Sequence, residues 1–338
     1  MRSRRSPRRR KRRSQAELRE ARELFLHQAS QAEGRSALYV SLFRRLADDE
    51  RVGAILESPP RWDAPLRLAG ALHNLVLRGE ASWDNVDDAL DEHADFLRRF
   101  VAEQGVQTNE VQRCWMLLPC FLELARRTGF SEFDVLEFGP SAGLLLSWDR
   151  YRYCFEAGAW GDARAPLELS GDERRPVPAE LLQLRLVVGS RVGIDLAPVD
   201  VTTDDGALLL RSFVWADNSE RLERLDRAIE VLRGDPPTLV QGDFVELLPQ
   251  YLERRRSDAL TVVMQIASAG YLDDAGRARL RETYDSAGAD GPLAIVGTTQ
   301  PSDGSHHYYG LRLTYWPGPE SEIVAHADFH GAWLEWLL

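Results

Sequence analysis

Residues 133–153 read Phe-Asp-Val-Leu-Glu-Phe-Gly-Pro-Ser-Ala-Gly-Leu-Leu-Leu-Ser-Trp-Asp-Arg-Tyr-Arg-Tyr. Residues 133–138 are a short apolar run carrying a carboxylate, Glu137, near its end. Gly139, Ser141 and Gly143 follow at every second position, and Leu144, Leu145, Trp148 and Tyr151 then recur at helical spacing. The pattern predicts a strand, a tight turn of small residues and a helix. Glycine at such a turn allows a sharp bend and lets a ligand touch the main chain. The first turn of a following helix offers unpaired N–H groups. A fold of alternating strands and helices holds nucleotide-like ligands at such places.

Upstream, from Gln15 to Gly129, apolar residues keep helical spacing: Leu18, Phe25 and Ala29; Leu38, Leu42 and Leu46; Leu68, Leu72 and Leu75; Leu90, Leu97 and Val101. Breaks fall at Gly34, Ser58-Pro59-Pro60, Gly79 and Gly105. The last helix of this region is expected to begin near Asn109, with Asn109 as N-cap and Gln112 completing a capping box. Pro119 is expected to kink it and Gly129 to end it.

Downstream, residues 156–188 are rich in Gly, Pro and charge and read as an insertion, with a short hairpin around 166–169 and 175–177. Apolar runs at 184–188 and 192–196, 238–243, 260–266 and 293–296 read as strands, with helices at 205–233, 244–256 and 273–287 between them. Residues 311–315 and 323–327 close the chain as a strand pair. The alternation predicts a parallel, doubly wound α/β sheet. The expected organisation is a basic tail over 1–14, a helical cap domain over 15–130 and a Rossmann-like α/β domain over 131–338.

Charge is unevenly spread. Net charge is −11 although the first 13 residues hold nine basic ones, so the body is strongly acidic. Such a body does not bind nucleic acid over its general surface; only the tail could touch RNA. No apolar run reaches the roughly 18 residues of a membrane span. The basic N-terminus is not followed by an apolar segment, so no signal peptide is expected. Cys114, Cys120 and Cys154 are too few and scattered for a disulfide framework or zinc site, which fits a reducing cytoplasm. His326 and His330 lack a third ligand and an aligning helix, so no metal is expected.

Three acidic residues end three successive candidate strands: Glu137, Asp195 and Asp243. Ligands of open α/β sheets bind outside the carboxyl ends of the strands. Ionised carboxylates accept from ribose hydroxyls and from an exocyclic adenine amine. No Gly-rich loop carries the Lys or Arg that a phosphate chain would want. Val135-Leu136-Glu137-Phe138-Gly139-Pro140-Ser141-Ala142-Gly143 resembles the first motif of class I S-adenosylmethionine-dependent methyltransferases, an acidic residue followed by Gly-x-Gly-x-Gly. Ser141 stands where that motif has its middle glycine. Gln241-Gly242-Asp243-Phe244 resembles the family's adenine-contacting motif, and 262–266 through Tyr271-Leu272 its following strand and loop. About fifty residues separate Gly143 from Asp195, against about twenty in ordinary βαβ units. Over nearly its whole length the chain is also similar to an uncharacterised bacterial domain-of-unknown-function family, number 2332. Residues 107–113, 137–153, 193–201 and 328–336 carry that likeness.

The resemblance implies an S-adenosylmethionine site at Glu137, Gly139, Ser141, Gly143, Asp195 and Asp243, and methyl transfer to a small molecule or protein. Asn109, Glu110, Arg113, Asp149, Tyr151 and His330 are the expected acceptor-side residues. The alternatives for the first two are a helix cap, and for Asp149 and Tyr151 an ion-paired helix face. Two other readings stay open. Gly139-Pro140-Ser141-Ala142-Gly143 also fits Gly-x-Ser-x-Gly, a hydrolase nucleophile elbow, and a fold of this class can bind without catalysing. A fluorophosphonate probe separates the enzymes. Under the methyltransferase reading Ser141 has no activating base and stays unlabelled; stoichiometric labelling lost in Ser141→Ala would establish the hydrolase.

Overall fold

The computed structural model describes residues 14–108, 110–268, 270, 272–300 and 307–338; the tail up to residue 13 and Asn109 lie outside them. The chain forms two compact units, residues up to Thr108 together with Leu208–Leu222, and Asn109–Ala207 together with Glu223–Leu338.

The first unit is helical, with α1 Gln15–Ala32, α2 Ala37–Ala47, α3 Val52–Ile55, α4 Ala64–Leu77, α5 Val86–Glu92 and α6 Ala94–Glu103. Ser14 and Glu17 form a capping box at the start of α1. Left-handed Gly34 and Gly79 lie just beyond the ends of α1 and α4, near the breaks read from sequence. The central helix, α4, is buried over most of its length, including Arg67, His73 and Asn74. Two of its polar groups are partnered within the unit: Arg67 Nε bonds Asp63 at 2.9 Å and its Nη1 the Val101 carbonyl at 3.0 Å. Asn74 donates to Ser212 Oγ at 2.9 Å. Residues 208–222 complete this core. Trp215 stacks on Tyr39 with centroids 5.2 Å apart, and Ser36 Oγ donates to Asp217 at 2.7 Å.

The second unit is a mixed α/β domain, rich in parallel strands. Its elements in chain order are α7 Arg113–Thr128, β1 Glu132–Phe138, β2 Arg152–Phe155, β3 Gly158–Trp160, β4 Glu168–Ser170, β5 Asp172–Arg175 and β6 Val187–Asp195. There follow α8 Asp204–Ser212 and α9 Ser219–Gly234, of which residues 208–212 and 219–222 belong to the first unit, then β7 Thr238–Gln241, α10 Phe244–Leu252, β8 Leu260–Gln265, α11 Asp274–Asp290, β9 Leu293–Thr299, β10 Tyr309–Trp316, β11 Glu320–Ala327 and β12 Trp333–Trp336. Among the described residues the main sheet has the order β5-β12-β11-β10-β9-β8-β1-β6-β7, and β3-β2-β4 form a small second sheet. From β7 to β9 neighbouring strands are parallel; β10, β11 and β12 add an antiparallel meander. The central parallel strand β8 is buried from Leu260 to Met264, as a strand covered on both faces must be, whereas β1 carries Glu132, Asp134 and Glu137 among its apolar residues.

Several local expectations are corrected. The segment after the first turn is a six-residue 3₁₀ helix, Leu145–Arg150, with Ser147 out of helical geometry, because the chain must turn at once into β2. The insertion pairs β2 with β3 and β4, while β5 joins the edge of the main sheet, so the expected hairpin at 166–177 does not form. The two apolar runs at 184–196 give one strand, β6. The single helix over 205–233 is two, α8 and α9, broken where Phe213 and Trp215 turn into the helical core. Helix α7 begins at Arg113 with no side-chain cap; the Gln112 amide instead reaches the Ser170 and Gly331 carbonyls. Pro119 sits inside α7 without ending it, and left-handed Gly129 does end it.

Gly193 of β6 lies under the turn that follows β1. A Cβ there would sit 2.4 Å from Pro140 Cγ. Gly193→Ala therefore pushes Pro140 and should cost about 1–3 kcal/mol, measured by urea unfolding; an unchanged midpoint would show that the turn yields freely.

Candidate functional site

Strand order reverses between β1 and β8: β6 and β7 lie on one side of β1, β8 and β9 on the other. That is a topological switch point, where open α/β sheets form a crevice. At its mouth the chain leaves β1 through left-handed Gly139, Ser141 and Gly143, with φ of 68°, 55° and 79°. The turn is tied to β6. Gly139 N–H donates to the Ile194 carbonyl at 3.0 Å, and Ser141 N–H to Asp195 Oδ2 at 2.9 Å. Asp195 Oδ1 accepts the Ala197 N–H at 2.9 Å. Asp195 thus reaches a residue 54 positions earlier in the chain, because the small sheet of β2–β4 loops out between them.

The two glycines differ in purpose. A Cβ on Gly143 would lie 2.6 Å from Pro237 Cγ, so that glycine serves close packing. A Cβ on Gly139 would meet only Ser268 Cβ at 3.5 Å and Asp195 Oδ2 at 3.9 Å. Backbone at Gly139 is therefore open toward the crevice, and only its φ demands glycine.

Glu137 lies two residues before Gly139, near Arg113 and Cys114 of α7. It is 4 % exposed, and its Oε2 has no hydrogen-bond partner among the described residues. Burial, and then repulsion from Asp195, push its carboxyl up to about 8, against the attraction of Arg113. Ser268, just past β8, is a second buried polar group here: its Oγ also lacks a partner. The preceding Ala267 is left-handed, with φ of 62° and its N–H donated to Thr298 Oγ1 at 2.9 Å. Ser268 was not among the residues singled out from sequence. The available signal was the small-residue run Ala267-Ser268-Ala269-Gly270 closing an apolar strand.

Glu137, Gly139, Ser141 and Asp195 thus come together. Arg113 is close enough to act on Glu137 electrostatically, and its Nε donates to the Phe329 carbonyl at 2.8 Å. That bond places the 328–331 turn beside the start of α7. In that turn the His330 N–H is held by Asp328 at 2.6 Å. Glu110 is buried, accepts the Gln112 N–H at 3.2 Å and lies 3.8 Å from Arg224. The remaining residues have structural partners. Asp149 pairs with Arg191 of β6 at 2.5 Å. Tyr151 is fully buried with its hydroxyl on the Leu144 carbonyl at 2.9 Å, and burial raises its phenol well above the usual range. Asp243 is exposed and caps α10, its Oδ1 accepting from Val245 and Glu246.

The strand order and the acidic residues at its reversal define a mixed α/β protein with a switch point lined by Glu137 and Asp195. The chain belongs to the family described as "Uncharacterized protein conserved in bacteria (DUF2332)", whose model matches residues 22–336. Comparison with curated proteins gives no match. Among solved structures it is similar to "Crystal Structure of the Glycopeptide N-methyltransferase MtfA", at 17% identity over 70% of this chain and 72% of that one, with a TM-score of 0.20. A likeness of that size says nothing about activity. No helix among the described residues is long and apolar enough to cross a membrane.

A raised carboxyl binds its proton more tightly in the folded than in the unfolded chain. Ionising Glu137 therefore lowers stability as pH rises from its ordinary value of 4.5 to about 8, and the loss is complete above that. At about 1.4 kcal/mol per unit, Glu137→Gln should match the parent near pH 5. Near pH 9 it should exceed the parent by up to about 5 kcal/mol. Equal stabilities at both pH values in urea titrations would place the carboxylate in contact with solvent or a cation.

Proposed function

We propose that the crevice binds S-adenosylmethionine and that the protein transfers its methyl group to a small molecule or a protein. Glu137 carries this reading: a buried carboxyl, one oxygen without a partner, beside the open backbone of Gly139 at a switch point. S-adenosylmethionine brings an ammonium and a sulfonium, and an unsatisfied carboxyl is the counterpart of such cations. Ser268 Oγ can give or take a further hydrogen bond on the same side. Asp195 accepts two backbone N–H groups and, with about four lone-pair sites on a carboxylate, can still accept ribose hydroxyls. Asp243 fits less well, since its Oδ1 already serves the cap of α10. When bound, the ligand supplies an activated methyl on a good leaving group. The chain's own part is to hold, orient and keep water out.

The hydrolase reading is favoured by the left-handed φ of Ser141, since nucleophile elbows are strained turns. It is disfavoured by the 3₁₀ turn where an α-helix should begin. The Asp195 carboxylate on the Ser141 amide also puts negative charge where an oxyanion would form.

Only ionised Glu137 attracts a cation. Affinity for S-adenosylmethionine should therefore rise with pH up to about 8 and level off above it, and binding at pH 7 should release a proton. Calorimetry in two buffers of different ionisation enthalpy reads both effects. Glu137→Gln and Asp195→Asn should each weaken binding by about 1–3 kcal/mol. No heat with S-adenosylmethionine or S-adenosylhomocysteine at millimolar concentration would sink the cofactor reading.

A further inference from the structure

The carboxyl edge of the sheet continues past the switch point to the antiparallel strands, and there its character changes from acidic to aromatic. Strand pairing puts Glu137 opposite Met264, Met264 opposite Val296 and Val296 opposite Leu313, so these side chains share one face. One row nearer the edge, Thr298 stands opposite Leu311, and Tyr309 follows on the same face. Tyr309 meets Phe329 edge to face, with ring centroids 4.6 Å apart, and both are half-buried. Strand β10 lies three strand spacings from β1, roughly 14 Å. Between them the edge carries Ser268, whose hydroxyl has no partner among the described residues, and the short side chain of Thr298.

Phe329 is held from both sides. Its carbonyl accepts from Arg113, which also acts on Glu137. Its turn is fixed by Asp328, whose Oδ2 takes the His330 N–H at 2.6 Å and the Ala332 N–H at 3.4 Å. At Gly331 a Cβ would lie 2.6 Å from the Gln112 carbonyl oxygen, so the turn is pressed against the chain leading into α7. A half-exposed ring fixed in this way is a prepared contact surface, not a mobile surface side chain.

We propose that Tyr309 and Phe329 form the acceptor end of the site and that the acceptor presents a planar aromatic or heteroaromatic ring to them. This rests on the methyl-transfer reading above for its chemistry but not for its binding. A ring nitrogen or oxygen would take the methyl with its own lone pair as the methyl–sulfur bond breaks. The sulfur keeps the bonding pair, and a proton left on the heteroatom passes to water. Aromatic walls give such a ring stacked or edge contacts that a saturated ring of equal size does not receive.

The test uses the full chain and two probes, indole and its saturated counterpart octahydroindole, followed by ligand-observed NMR with and without S-adenosylhomocysteine. Indole should bind at least about fivefold more tightly than octahydroindole. Phe329→Leu and Tyr309→Leu should each weaken indole at least about fivefold while leaving S-adenosylhomocysteine binding unchanged. Melting curves identify a variant that has lost its fold, and the other variant then decides. Equal affinity for the two probes, or indole binding indifferent to both substitutions, overturns the proposal; so does absence of indole binding to the folded parent. Indole binding that obeys these expectations without any S-adenosylhomocysteine binding would keep the aromatic subsite and remove the cofactor reading.

Discussion

The hydrogen bond from the Ser141 amide to Asp195 Oδ2 is the contact on which the candidate site depends. Ser141 is a non-glycine residue in left-handed geometry, a conformation costing about 1–3 kcal/mol. One partner that offsets this cost is a carboxylate on the neighbouring strand, oriented in turn by the Ala197 amide. The same bond sets the path of the turn. Pro140 drops onto Gly193, Gly143 onto Pro237, and the main chain at Gly139 is left facing the crevice. Asp195 acts there with main-chain bonds, from Gly139 N–H to the Ile194 carbonyl, from Gly143 N–H to the Pro140 carbonyl and from Val199 N–H to the Ser141 carbonyl, to hold three left-handed residues in five positions.

Much of this was legible in the sequence because it is local. The strand before Gly139, the glycines themselves and the strand-end carboxylates at 137 and 195 are read directly from residue type and period. The sheet strands at 238–241, 260–265 and 293–299 declare themselves as apolar runs between helices. What was not legible depends on partners distant in sequence. Gln112 looked like part of a capping box, yet its amide serves carbonyls at residues 170 and 331. Leu144 to Tyr151 has helical apolar spacing, but Trp148 and Tyr151 are buried by a sharply turning chain, and 3₁₀ geometry satisfies the same spacing over one turn. Asp243 has the residue type of a ligand group and the geometry of an N-cap, and sequence alone cannot separate the two. The break at 213–218 is invisible locally because Phe213 and Trp215 keep apolar character while packing into the core of the helical unit.

Ser268 was missed for a related reason. A serine in a small-residue loop is ordinary in sequence. It gains meaning only when β8 places it beside Gly139 and burial leaves its hydroxyl without a partner. The aromatic pair at the other end of the edge likewise depends on a β10 register and a turn at 328–331 that the sequence does not announce.

The burial of Glu137 argues for a role beyond the fold. A carboxyl removed from water and left with an unpartnered oxygen destabilises the folded chain unless something compensates it. Nearby Asp195 makes ionisation harder, and Arg113, which divides its attention with the Phe329 carbonyl, offsets only part of that. The neighbours of Glu137 on the same face of β1, Phe133 and Val135, are buried apolar residues. Packing therefore gives no reason for a glutamate here, whereas a cationic ligand does. It would supply the missing partner, draw the carboxyl to its ionised form and relieve the repulsion from Asp195 in the same step. Perturbed groups of this kind gather at functional sites, where burial and neighbouring charges are arranged to shift a proton's affinity. At Glu137, Asp195 and the left-handed turn between them, local stability rules are set aside together.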